Sequence, residues 1–206
     1  MNKDLIYADL RATVEDILKL SIAAPRLKVL REVSDYIQKK IDEKEKVQLN
    51  FICTHNSRRS QFSQIWAQTA AFYYNLPISC FSGGIEVTAF NPRAVKAIEK
   101  AGFKINSGHG NNPFYEVSYS SESQPIIAYS KLYNTPEEGK SNFAAILTCS
   151  HAEENCPFIP LADQRISLKY TDPKAFDDTS EEEKEYIETS TKIASEIFFI
   201  FSQINQ

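Results

Sequence analysis

The 206-residue sequence has no apolar run approaching the roughly 20 residues that a membrane-spanning helix needs. It also lacks a run of five or more basic residues, and its net charge is only -4, so composition gives no reason to expect nucleic acid as a partner. The first residues, MNKDLIYADLRATVED, carry charge throughout and lack the apolar core of a signal peptide. No internal repeat or low-complexity tract is present. The expectation is therefore a cytoplasmic protein with no membrane contact. Cysteines are few, four in all. In a reducing compartment they are expected as thiols, redox centres or metal ligands rather than structural staples.

What is present divides into three textures. Residues 1–45 read as a helical extension. Leu27, Leu30, Val33, Ile37 and Ile41 recur at spacings of three and four, Pro25 suits a first helical turn, and an earlier helix is expected over Leu5–Leu20. The apolar stripe either packs on the main domain or forms a partner surface, such as a homodimer contact. Residues 46–206 read as the main domain. Val47–Ile52 is a buried strand, 59–75 a helix, Ile78–Ser82 a strand closed by Gly83-Gly84, and Pro92–Lys100 a helix capped by Asn91. Phe143–Thr148 and Arg165–Lys169 are further strands, and a long helix runs from about Glu181 to Ile204, with Thr179 or Ser180 as its cap. Within this domain, 113–142 is tyrosine-rich and reads as an inserted β-hairpin followed by a loop over Asn134–Ser141. Alternating strands and helices predict an α/β fold, with a parallel four-stranded sheet flanked by helices on both faces. Ligands of such sheets sit beyond the carboxyl ends of the strands.

That end carries Cys53-Thr54-His55-Asn56-Ser57-Arg58-Arg59-Ser60. A loop that leaves a strand and enters a helix aims several backbone N–H groups inward, forming a nest for an anion. Arg59 adds a planar fork for two oxygens of a phosphate-like group. Ser60 can donate to the Cys53 sulfur, and Asn56 can brace the loop. The competing reading is a buried cysteine ending a strand, with Arg59 merely solvated. A second group of chemistry-bearing residues is Cys149-Ser-His151-Ala-Glu-Glu-Asn-Cys156-Pro-Phe-Ile-Pro160. Two cysteines seven residues apart can belong to one mobile loop. Zinc is the competing reading for Cys149, His151 and Cys156, but the spacing fits no common zinc pattern. No metal or cofactor is expected. Cys80 reads as a small core residue and His109 as exposed.

The stretch Phe51-Ile-Cys-Thr-His-Asn-Ser-Arg-Arg-Ser-Gln61 resembles the active loop of low-molecular-weight protein tyrosine phosphatases and of the arsenate reductases that share their fold. Phe81-Ser-Gly-Gly-Ile-Glu86, Asn91-Pro-Arg-Ala-Val95 and Thr171-Asp172-Pro173 match by type and order, and Cys149–Pro160 is similar to the redox loop of thioredoxin-coupled arsenate reductases. The resemblance covers about 47–110 and 143–206. It implies an arsenate or phosphate oxyanion held by residues 54–60, Cys53 as nucleophile, and Asp172 as general acid. It further implies a Cys53/Cys149/Cys156 disulfide cascade ending in reduction by a thioredoxin-like partner. A phosphatase using Cys53, Arg59 and Asp172 alone, and a binding module without turnover, remain as alternatives. The sequence departs from the family at His55, where glycine is usual, at Arg58, and at Gln64, where some members place a potassium-binding glutamate. Gln61 in place of proline and Lys174-Ala175 in place of an aromatic pair favour a reductase.

Overall fold

A computed structural model describes residues 1–135, 141–155 and 158–205. The loop expected at Asn134–Ser141 falls largely outside these residues, and Cys156 lies outside them too. The central sheet has four parallel strands in the order β2 (Ile78–Gly84), β1 (Val47–Cys53), β6 (Phe143–Leu147) and β7 (Ala162–Ser167). Strand β6 is buried throughout, and β1 everywhere except at Gln48, as parallel strands covered on both faces must be.

The period of two sorts these side chains between two cores. Val47, Leu49 and Phe51 of β1, with Ala144 and Ile146 of β6, enter the large core. That core is built with α1 (Ala8–Ile17), α2 (Leu27–Asp42), α3 (Arg59–Tyr74), α4 (Pro92–Lys100) and α6 (Glu182–Ser202). Ile52, Phe143, Ala145 and Leu147 point the other way, into a small core closed by Ala152 of α5 (Ser150–Asn155), Ile159, Ile85 and Tyr133. Both faces are covered, but the second carries one short helix and loop segments. The catalytic cysteine candidates Cys53 and Cys149 belong to this smaller core.

The N-terminal stripe packs within the chain. Leu10, Val14 and Ile17 of α1 and Leu30, Val33 and Ile37 of α2 all join the large core. Helix α1 is shorter than the expected Leu5–Leu20, because Leu5, Leu18 and Leu20 point to solvent and offer no packing to extend it. Its seat is a glycine: Gly102 has φ +101°, and a Cβ there would lie 2.4 Å from the Leu10 nitrogen. Helix α2 also covers the outer strand, with the Tyr36 hydroxyl 3.2 Å from Asp163 and Lys40 paired to the same carboxylate at 2.7 Å.

The tyrosine-rich insertion supplies two strands of a three-stranded antiparallel sheet, β4 (Tyr115–Ser118) and β5 (Ile126–Ala128), which pair on β3 (Lys104–Ser107). The expected hairpin is present as β4–β5, and β3 is an addition. The chain after β5 then runs beside β2, where Gly84 donates to the Lys131 carbonyl at 2.8 Å and Tyr133 donates to the Gly84 carbonyl at 3.0 Å. The last strand, β7, begins and ends earlier than Arg165–Lys169. No helix among the described residues is long and apolar enough to cross a membrane.

Candidate active site

Strand β1 ends at Cys53 and α3 starts at Arg59, so residues 54–58 make the turn between them at the carboxyl end of the sheet. The turn is tight because its neighbour has no side chain. Gly84 pairs with Cys53 in register, and a Cβ on it would lie 2.8 Å from both the Asn56 nitrogen and the Thr54 carbonyl. The freed space lets Ile85 and Glu86 donate to the Thr54 carbonyl at 2.8 and 2.9 Å. Asn56 adopts φ +46°, a conformation asparagine tolerates better than most residues.

Asn56 is fully buried and braces the turn from inside. Its amide donates to the Ser60 and Ser82 hydroxyls, each at 2.9 Å, and its oxygen accepts from the Lys131 main chain at 3.0 Å. The Cys53 sulfur stands 3.1 Å from the Ser60 hydroxyl, so one hydroxyl links the brace to the sulfur. The main-chain N–H groups of His55, Asn56, Ser57 and Arg58 meet no acceptor among the described residues. Four such donors in one turn, next to a helix N-terminus, make a candidate cradle of the kind that can hold an anion.

Two arginines and Asp172 close the cradle. Arg59 donates from Nη2 to the Asp172 carboxylate at 2.5 Å and from Nη1 to the Tyr170 carbonyl at 3.2 Å. Its Nε is buried and has no partner, leaving one guanidinium donor for a ligand. Arg58 turns to the side. Its Nε donates to the Tyr186 hydroxyl at 2.9 Å, while Nη1 lies 3.5 Å from Asp172. Burial first, then the bond that the hydroxyl donates to Asp177, pushes the Tyr186 pKa up to about 12, so it stays a neutral phenol. Asp172 follows β7 and caps the turn Pro173–Phe176 by accepting from the Lys174 nitrogen at 3.1 Å.

Cys149 arrives from the next strand. Ile52 pairs with Leu147, and Thr148 donates to the Ile52 carbonyl at 2.8 Å, so Cys149 falls beside Thr54. Its sulfur is 3.5 Å from the Thr54 hydroxyl and accepts from the Ala152 nitrogen at 3.3 Å. His151 Nδ1 is 3.2 Å from the same hydroxyl. Helix α5, which follows Cys149 and carries His151 and Ala152, is anchored to β7 and the chain after it through Glu153. That carboxylate accepts from Ser167 at 2.6 Å and Lys169 at 2.8 Å, and these bonds hold its pKa below the ordinary 4.5.

Several expected binding residues turn their side chains away from the cradle. His55 faces Glu86 at 3.4 Å, and Ser57 donates to the Ala89 carbonyl at 2.7 Å. What those positions offer an anion is the main chain. Gln64 is buried behind the loop, accepting from Ser82 at 2.6 Å and donating to the Cys80 carbonyl at 3.2 Å. Cys80 is enclosed in the core, and burial drives its thiol pKa far up. His109 is exposed. Among the described residues, no group of three or more His, Cys, Asp or Glu side chains could hold a metal ion.

The inserted segment supplies a residue that sequence reasoning missed. Ser130 donates to the His55 carbonyl at 2.7 Å and accepts from the Thr88 nitrogen at 2.9 Å. Asn112 clamps Ser130 from both sides, donating to its carbonyl at 2.8 Å and accepting from its nitrogen at 3.1 Å. Gln61 reaches the Tyr129 carbonyl at 2.8 Å. The insertion therefore forms the outer wall of the cradle. Nothing in the sequence marked Asn112 or Ser130 for this role.

No family model matches the chain. Curated relatives do match it. An arsenate reductase 2 from Staphylococcus epidermidis is 30% identical over 129 residues, covering 63% of this chain and 80% of the relative. An arsenate reductase from Bacillus subtilis is 30% identical over 132 residues, covering 64% and 78%. Among solved structures, a YwlE mutant from Bacillus subtilis superposes with TM-score 0.52 at 16% identity, covering 77% of this chain and 98% of that one. The chain shares its fold with that structure, and by its curated relatives it belongs to the arsenate reductases.

Proposed function

We propose that this enzyme reduces arsenate to arsenite through a thiol relay begun by Cys53. The observation that carries the reading is the seating of a second thiol, Cys149, against Thr54, one residue beyond the nucleophile candidate. Phosphomonoester hydrolysis needs only the first thiol, whereas reduction of arsenate needs a second to take the disulfide.

Arsenate would enter the cradle of residues 54–60, its oxygens taking the free N–H groups and the unpartnered Arg59 Nε. An incoming anion competes with Asp172 for Arg59, which frees Asp172 to turn towards the departing oxygen. The Cys53 thiolate attacks arsenic, and Asp172 gives a proton to the hydroxide that leaves as water. Cys149 then attacks the Cys53 sulfur. The sulfur–arsenic bond breaks, its electron pair stays on arsenic, arsenite departs, and a Cys53–Cys149 disulfide remains. Cys156 attacks Cys149 and expels Cys53 as thiolate, the step that the Ser60 hydroxyl favours by donating to the leaving sulfur. The Cys149–Cys156 disulfide is returned to two thiols by a thioredoxin-like reductant, which places the chemistry in a reducing compartment such as the cytoplasm.

The test is a coupled assay with arsenate, thioredoxin, thioredoxin reductase and NADPH. The wild type is expected to oxidise NADPH over many turnovers, and Cys156→Ser to stop. The second reading is a phosphomonoesterase, favoured by Asp172 standing at the cradle mouth with Arg58 and Arg59. Arsenate-independent hydrolysis of p-nitrophenyl phosphate, undiminished in Cys149→Ser and with no NADPH consumption, would select it.

A further inference from the structure

The N-terminal segment places one side chain where it can act on the cradle. Arg26 sits at the end of a 3-10 turn, Ala24–Arg26, and reaches α6, where its fork meets Glu196 at 2.8 and 2.6 Å. Glu196 is 3% exposed. A carboxylate that deep is tolerated only with a partner, and a bidentate guanidinium is a strong one. The same guanidinium lies over the ring of Tyr170, 5.2 Å from its centroid. Tyr170 is buried with its ring held against this ion pair, and burial followed by the Glu196 charge keeps its phenol neutral.

The main chain of Tyr170 is part of the active site. Its nitrogen donates to the Thr148 carbonyl at 3.1 Å, and its carbonyl accepts from Arg59 at 3.2 Å. Asp172, the other acceptor of Arg59, is two residues further on. Both contacts that aim the Arg59 guanidinium therefore hang on the placement of one residue, and the ring of that residue is set by Arg26 and Glu196. We propose that Arg26 and Glu196 are positioning residues for the oxyanion site: their buried ion pair fixes Tyr170, and Tyr170 fixes Arg59. The N-terminal segment is then a working part of the site. This rests on the reading that Arg59 binds the oxyanion.

Inorganic phosphate serves as the probe, with affinity measured by titration at pH 7 beside folded-state circular dichroism and urea unfolding. Arg26→Ala is expected to weaken phosphate binding about tenfold, about 1.4 kcal/mol. It should raise the arsenate KM while leaving kcat within about threefold. Arg26→Lys keeps the charge but loses the fork, and its phosphate affinity should fall between wild type and Arg26→Ala. It also carries the test if Arg26→Ala does not fold. Tyr36→Phe is the stability control. It removes a hydroxyl contact to Asp163, at the opposite end of the sheet, and should lower the urea midpoint without changing phosphate affinity. Equal weakening by Tyr36→Phe would make the effect global and overturn the proposal. So would wild-type affinity in a folded Arg26 variant while Arg59→Lys loses phosphate, which leaves the oxyanion reading intact. If Arg59→Lys binds phosphate as the wild type does, it is the oxyanion reading that fails.

Discussion

Replacing Asn56 by alanine strikes the cradle at the point where sequence, backbone and chemistry meet. Three side-chain hydrogen bonds disappear, to Ser60, Ser82 and the Lys131 nitrogen. At about 1 kcal/mol net for each bond, the loss is about 3 kcal/mol, and a buried Lys131 N–H is left without its acceptor. Alanine must also hold φ +46°, at a cost of about 1 kcal/mol. The sum, about 4 kcal/mol, is a large part of the 5–15 kcal/mol typical of a folded domain. Urea unfolding should show it as a fall in midpoint at constant m-value. Asn56→Gly separates the two causes. It loses the same bonds but accepts the left-handed backbone, so it should be the more stable variant by about 1 kcal/mol. Phosphate affinity should drop in both. A loss below about 1 kcal/mol in Asn56→Ala, or a glycine variant less stable than the alanine one, would refute the bracing role.

Two further outcomes follow from buried and anchored carboxamides and carboxylates. Glu153→Gln should loosen α5, so that iodoacetamide alkylates Cys149 several-fold faster at pH 7 than in the wild type. Because the folded Glu153 pKa is lowered, its stabilisation is fully present above the ordinary 4.5 and lost as pH falls through the folded value. The stability gap between wild type and Glu153→Gln should thus hold from pH 6 to 8 and close on acidification below 4.5. Gln64→Glu sets a buried carboxylate against the Cys80 carbonyl, where the amide now donates. It should lower the melting temperature, and by more at pH 8 than at pH 5.5, since protonation restores a donor. A deficit independent of pH would count against that packing.

The sequence carried the cradle because its signals are local. A β-forming run, a cysteine, five residues, an arginine and a helix start all lie within 47–75, and the braces at Asn56 and Ser60 stand in the same stretch. Asn91 was legible for the same reason: its side chain accepts from Arg93, two residues on. The wall made by Ser130 was not legible, since its contact to His55 spans 75 residues and a serine in a tyrosine-rich segment has no marker for such a role. Strand β3, Lys-Ile-Asn-Ser, is short and mostly exposed, so it lacks the alternation that announces a half-buried strand. Strand β7, Ala-Asp-Gln-Arg-Ile-Ser, is polar because it lies at the sheet edge under α2, which shifted its expected start to the first hydrophobic stretch. On either side of helix α1 the leucines at 5, 18 and 20 fit a helical pattern but face solvent, and only the tertiary packing on Gly102 decides which leucines count.

In the proposed relay, Cys149 attacks the sulfur of Cys53 once the arsenate adduct has formed. This step is tested most directly by a single turnover of Cys156→Ser with arsenate and no external thiol, followed by peptide mapping under non-reducing conditions. One arsenite released per protein and a Cys53–Cys149 disulfide are expected. Arsenite release with Cys149 still alkylatable, or no arsenite at all from a folded protein that binds phosphate, would contradict the relay.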